Sequence, residues 1–285
     1  MITGSTKLVA LIGDPVEHSL SPVVHNAVFR DLRLDYVYVA LPVKAEHLKE
    51  AIEGARALNI VGVNVTVPHK IEVMKYCDKL DKTAVRVGAV NTIKNDNGIL
   101  TGYNTDGIGA VKGLKKQIGT LRGKNVLLMG AGGAARSIAF SLVDARTNLT
   151  IANRTLEKAK RIASDIKKKT GVVINHTGIT KTELKKALED ADILINATTV
   201  GMHPKSNQTL VTRDMMHKGL VVNDIVYEPI KTKLLIEAKA ADAQIVDGME
   251  MLVHQAAAAA EIWLEQSIPI EVMRVAAKLE LEKRW

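Results

Sequence analysis

The stretch LLMGAGGAARS sets Gly130, Gly132 and Gly133 directly after an apolar run and at the start of a helical one. That is the context a dinucleotide-binding turn requires. Gly130 permits the tight turn, and Gly132 lets the backbone approach a pyrophosphate. Ala135 stands where a third glycine is usual, a replacement the pattern accepts. Backbone N–H groups of Gly130, Ala131, Gly132, Gly133 and Ala134, with the helix N-terminus, then attract phosphate. The next strand ends IANRTLEK, with no acid at its end. Asn153, followed by Arg154, stands roughly 20 residues after the first glycine, where the ribose-reading residue belongs. A guanidinium fork suits a 2′-phosphate, whereas an acid would select a 2′-hydroxyl. The expected cofactor is NADP rather than NAD. Thr155 reads as a helix cap. Lys158, one turn on, serves either a phosphate or a solvated helix face.

A second group of polar residues lies in GVNVTVPHK, residues 62–70. Its β-branched content predicts a strand. Val63, Val65 and Val67 fall on one face, Asn64 and Thr66 on the other. A strand covered by helices on both sides should be apolar on both. The amide, the hydroxyl and the closing Lys70 therefore need a partner other than a packed core.

The elements that carry these residues alternate between strand and helix. KLVALIG predicts a strand, followed by a helix with Ser21 as N-cap and Pro22 as first helical residue. YVYVAL is a second strand, and Leu48, Ile52, Ala55 and Leu58 recur at helical spacing. Two β-rich runs flank Asn97-Gly98, a hairpin signal. Asp106 can cap a helix to about Gln117. From NVLLMG onward a second βα series follows: helices over 134–145, 156–169, 181–189 and 232–241, and strands LTIAN, VVIN, DILINAT, LVVNDIV and AQIVDG. Thr180 and Glu183 have capping-box spacing. Two helices, broken near Pro269, end the chain. The fold class is α/β, in two domains with a parallel sheet in the second. The divisions are 1–110, 111–247 and 248–285.

The chain has 285 residues, 47% hydrophobic and 25% charged, which suits a globular protein of two domains. Its net charge of +8 is spread over helical segments with acids among the lysines, which argues for solvated surface and no nucleic acid. The single cysteine, Cys77, excludes a disulfide within the chain and fits a cytoplasmic setting. No signal peptide, membrane-length apolar run, HExxH or CxxC is present, so neither a membrane partner nor a protein-bound metal is expected.

HSLSP (18–22), NVTVPHK (64–70), GAVNT (88–92), YNTDG (103–107), GAGGAARS, NRT, NATTVGM and DGMEMLVHQA (247–256) together resemble the shikimate dehydrogenase family, in order over essentially the whole chain. The resemblance implies an NADPH-dependent reduction of 3-dehydroshikimate to shikimate, on the route to chorismate and aromatic amino acids. It implies an N-terminal α/β substrate domain completed by the C-terminal helices, and an NADP-binding Rossmann domain. It assigns Lys70 and Asp106 as the catalytic pair. Ser19 and Ser21 would hold the substrate carboxylate. Asn64, Thr66, Asn91 and Gln255 would hold its hydroxyls and carboxylate, with Tyr227 near the substrate. Ile225 and Gly248 would line the nicotinamide site, and Gly130 to Ala134 with Asn153 to Lys158 would bind NADP. Glu228 departs from the family pattern, where an asparagine is expected. A quinate/shikimate dehydrogenase of broader specificity and a non-catalytic NADP-binding sensor are the alternatives, and a homodimer is left open.

Overall fold

The computed structural model describes residues 2–284, which divide into two compact units. The first comprises residues up to Thr105 together with Val253 onward, and the second runs from Asp106 to Leu252.

In the first unit, β1 (Lys7–Gly13), α1 (Ser21–Asp31), β2 (Tyr36–Pro42), α2 (Leu48–Ala57) and β3 (Gly62–Val65) form parallel βα units. β1 is apolar from Leu8 onward and buried from Val9, as suits a strand flanked by strands on both sides. Next come β4 (Lys79–Leu80), α3 (Lys82–Val87), β5 (Thr92–Asp96) and β6 (Ile99–Tyr103). β5 runs antiparallel to both β3 and β6, so the six-stranded sheet, ordered β2-β1-β3-β5-β6-β4, is mixed. Asn97 (φ 52°) and Gly98 (φ 90°) both adopt the left-handed backbone that a two-residue hairpin of type I′ demands.

In the second unit, α4 (Asp106–Ile118) precedes β7 (Asn125–Met129), α5 (Gly133–Asp144), β8 (Asn148–Ala152), α6 (Leu156–Thr170), β9 (Asn175–Thr177), α7 (Lys181–Leu188), β10 (Ile193–Asn196), β11 (Val221–Asp224), α8 (Lys233–Ala240) and β12 (Gln244–Val246). Every pairing is parallel, in the order β12-β11-β10-β7-β8-β9. The chain winds from β7 to one edge, returns to β10 and winds to the other. This is the doubly wound dinucleotide fold, with its switch point between β7 and β10. α9 (Gly248–Leu264) begins in the second unit and continues into the first, where α10 (Ile270–Arg284) packs against α1.

Local differences from the sequence expectation have physical reasons. Leu20, not Ser21, is the N-cap of α1, so Ser21 and Pro22 both lie in its first turn. Proline is tolerated there because that turn leaves its N–H groups without helical acceptors. The strand expected over VVIN (172–175) forms instead as β9 and shares only Asn175 with it; Val172 and Val173 are exposed and lie outside the strand. β4 and α3 were not legible: one is two residues long, and the other is a six-residue helix capped by Asp81. Thr180 and Glu183 form the capping box expected.

Candidate active site

β3 and β5 carry a buried polar wall in the first unit. Asn64 Oδ1 accepts from the Tyr38 hydroxyl at 2.7 Å. Asn64 Nδ2 donates to the Asn91 carbonyl and to Thr92 Oγ1, each at 3.1 Å. Asn91 Oδ1 accepts from the Thr105 N–H at 2.8 Å and from Thr92 Oγ1 at 3.0 Å, while its Nδ2 donates to Thr105 Oγ1 at 3.0 Å. All these groups are buried, so the network fixes each amide by satisfying it.

Lys70 follows β3 in a turn whose backbone is fastened on several sides. The Asp14 N–H donates to the Val67 carbonyl, the Thr66 N–H to Ile12, and the Val90 N–H to the Lys70 carbonyl. His69 is 1% exposed and its Nε2 bonds the Val43 carbonyl at 2.6 Å. Thr66 and Lys70 remain half-buried at the carboxyl end of the strand. Ser19 Oγ accepts from the Ser21 N–H at 3.2 Å, which fastens the loop to the start of α1. Gln255 is half-buried on α9.

In the second unit, Gly130 has φ +117°, and a Cβ there would lie 2.6 Å from the Ala197 carbonyl at the switch point. Backbone sign and close approach both require glycine. A Cβ on Gly132 or Gly133 would meet nothing within 4 Å, so the turn keeps open space in front of the α5 N-terminus. Ala131 and Ala134 are partly exposed beside it. Beyond β8, the Asn153 side chain donates to the Thr155 carbonyl at 2.8 Å, and Arg154 and Lys158 are exposed on the same turn. Thr155 is the N-cap of α6 by position but makes no side-chain capping bond. An open glycine turn, a cationic strand end and no acid there suit a dinucleotide with a 2′-phosphate. Asp106, 6% exposed, opens α4; a Cβ on its neighbour Gly107 would lie 2.2 Å from the Ser137 carbonyl, so α4 starts hard against α5.

Three family models cover the chain in succession: the shikimate dehydrogenase substrate binding domain over residues 11–93, shikimate / quinate 5-dehydrogenase over 112–229, and the shikimate 5′-dehydrogenase C-terminal domain over 248–278. The chain belongs to the shikimate dehydrogenase family. Among its members, the NADP(+) shikimate dehydrogenase of Methanocaldococcus jannaschii is 49% identical over 279 residues, 96% of this chain and 97% of that one. A crystal structure of a shikimate dehydrogenase with NADP+ superposes with TM-score 0.94 at 46% identity, covering 99% of this chain and 98% of the other. The Listeria monocytogenes shikimate 5-dehydrogenase, solved with shikimate and NAD, gives TM-score 0.91 at 40% identity over 96% and 97%.

Further polar residues stand at the carboxyl ends of β10 and β11. Asn196, at the end of β10, donates through Nδ2 to the Val200 carbonyl at 3.2 Å and to Asp224 Oδ1 at 2.9 Å. Its Oδ1 accepts from Thr198 Oγ1 at 2.7 Å. Asp224, at the end of β11 and fully buried, also accepts from the Val226 N–H and from Thr232 Oγ1 at 2.7 Å. Burial pushes its carboxyl up to about 6, against these bonds. The pair thus anchors the loops after both strands. Ile225 and Tyr227 are half-buried in the second of them, and a Cβ on Gly248 would lie 2.5 Å from the Val226 carbonyl. Sequence reading missed Tyr38, His69, Asn196 and Asp224 as supports. For Asn196 and Asp224 the available signal was a polar residue at the end of an otherwise apolar strand; Tyr38 and His69 carried none. Among the described residues no group of three or more His, Cys, Asp or Glu could hold a metal, and no helix is long and apolar enough to cross a membrane.

Proposed function

We propose that this chain catalyses the reversible NADPH-dependent reduction of 3-dehydroshikimate to shikimate, the step that leads toward chorismate and aromatic amino acids. The observation that carries the reading is the 49% identity, over nearly the full length of both chains, to an NADP(+) shikimate dehydrogenase. Residues 1–110 with helices 248–285 serve the substrate, and 111–247 serve NADP. The buried wall supports the substrate assignment. A small polyhydroxylated acid needs convergent donors and acceptors on a rigid surface. Asn64, Thr66, Asn91 and Gln255 supply them, Ser19 and Ser21 receive the carboxylate, and Tyr227 adds a phenol.

NADPH, when bound, supplies the hydride. Gly130 to Ala134 cradle its pyrophosphate, and Asn153, Arg154, Thr155 and Lys158 hold its 2′-phosphate end. Ile225 and Gly248 face the ring. The protein's own residues place the ketone and manage charge. As the carbonyl oxygen gains electron density, the Lys70 ammonium stabilises it and delivers the proton. Asp106 accepts a substrate hydroxyl and holds the ring in register. In the reverse direction Lys70 takes the proton back. Glu228 takes no role. The chain acts in the cytoplasm, with a homodimer as the assembly to be checked by light scattering.

The test is absorbance of reduced nicotinamide with shikimate or quinate and NADP or NAD. Reduction of NADP by shikimate alone is expected. Oxidation of quinate as well would establish the broader enzyme, a reading favoured by the shikimate / quinate match over 112–229. Silence with all four combinations would overturn catalysis and leave the sensor.

A further inference from the structure

The first unit contains a buried assembly that the reaction itself does not account for. Tyr38 is 2% exposed in β2, and its hydroxyl is the donor that reaches Asn64 Oδ1. Its ring stacks on His25 with centroids 4.5 Å apart and planes 4° from parallel. Trp263 of α9 packs against both rings, at 5.3 Å from His25 and 6.3 Å from Tyr38. The indole N–H is itself fixed to the Ile93 carbonyl at 2.9 Å. His25 is wholly buried, and neither ring nitrogen has a hydrogen-bond partner. It therefore acts as a flat plate, which makes sense if its task is to orient the ring above it. Ser21 also hydrogen-bonds this hydroxyl, opposing the burial that raises the phenol far above its ordinary range. Tyr38 thus stays a neutral donor.

The consequence concerns which atom Asn64 has left to offer. Both of its amide hydrogens are engaged, by the Asn91 carbonyl and Thr92 Oγ1. One lone pair of Oδ1 is taken by Tyr38. What remains is the second lone pair of Oδ1. An amide left to itself could turn over and present hydrogens instead; the Asn91 carbonyl, which only accepts, holds the NH2 side, and the donated hydroxyl holds the oxygen side.

We propose that Tyr38 is a positioning residue for substrate recognition: together with the Asn91 carbonyl, its hydroxyl locks the Asn64 amide so that Asn64 meets the substrate as an acceptor of a hydroxyl hydrogen, and it ties Ser21 to the same point. The inference rests on the reading above that Asn64 and Ser21 contact the substrate. It adds a specificity rule. The wall demands a ligand hydroxyl that donates, and a group that only accepts is refused because two acceptors would face each other.

Tyr38→Phe keeps the ring stack and removes only the hydroxyl. The KM for shikimate should rise about tenfold, with the KM for NADP unchanged, the pattern expected when ground-state substrate binding is lost. In an Asn64→Ala background the same change should add less than about twofold, because coupled residues are not additive. An unaltered KM in Tyr38→Phe, or an equal factor in both backgrounds, overturns the proposal while leaving the function intact. A wild-type protein inactive on shikimate and quinate would remove both. Trp263 emission checks that the variant is folded. A second measurement needs no variant: of shikimate analogues carrying fluorine in place of one hydroxyl, one should bind the wild-type protein at least about tenfold more weakly. Equal binding by all of them refutes the acceptor rule.

Discussion

At the scale of single residues, the chemistry is divided between groups that touch a ligand and groups that hold them. Lys70→Ala removes the ammonium proposed to donate the proton, so kcat should fall by about a thousandfold. The dissociation constant for NADPH, read by fluorescence titration, should stay unchanged, and equal losses in both would point to damaged folding instead. Arg154→Ala should reduce the preference for NADP over NAD by about ten- to a hundredfold, the worth of a hydrogen bond to a charged group. A constant ratio of kcat/KM values would exclude the 2′-phosphate contact. The residues proposed to face the ligand stand out in the sequence because each breaks a local rule: Asn64 in a strand, Arg154 where an acid is usual, glycines where a helix begins. Their supports were hidden. Tyr38 belongs to a plausible strand, YVYVAL, and nothing in one sequence says that its hydroxyl meets Asn64 26 positions later. Contacts of that range are made by topology, not by pattern.

At the scale of elements, close approach decides which residues are allowed. A Cβ on Gly62 would lie 2.3 Å from Trp263 Nε1, so β3 and α9 touch where a side chain would otherwise stand. Gly62→Ala should therefore destabilise the first unit by about 1–3 kcal/mol, the range for overpacking. Urea unfolding followed through tryptophan emission measures it, and a midpoint equal to wild type would mean that Trp263 relaxes without loss. Elements with strong periodicity or definite turn chemistry could be placed from sequence, as with the hairpin at Asn97-Gly98 and the box at Thr180 and Glu183. Elements set by their neighbours could not. β4 is two residues long and exists because β6 offers it an edge. α1 starts one residue earlier than expected because Ser19 fastens its first turn and Leu20 takes the capping position.

At the scale of the whole molecule, the two units should answer acid in opposite directions. Burial lowers the His25 value from 6.5 to about 3, so below neutral pH the unfolded chain gains a proton that the folded first unit refuses. Its stability should fall between pH 7 and 5. Asp224 works the other way: its value rises from 3.8 to about 6, so the folded second unit takes up the proton first and gains stability over the same range. Each effect is on the order of 1–2 kcal/mol. Calorimetry at pH 7 and 5 should show the two transitions shifting against each other, with His25→Leu and Asp224→Asn each flattening one of them. Parallel shifts would refute the assignment. The path of the backbone carries a last consequence, for biosynthesis. Val253 onward belongs with the first unit, and Trp263 and α10 come from that final stretch. A ribosome therefore releases most of the substrate-binding half first but its closing helices last, after every residue of the Rossmann half has emerged. The half that starts earliest must wait longest, with the face that Trp263 will cover still bare, while the half begun later is free to fold during translation.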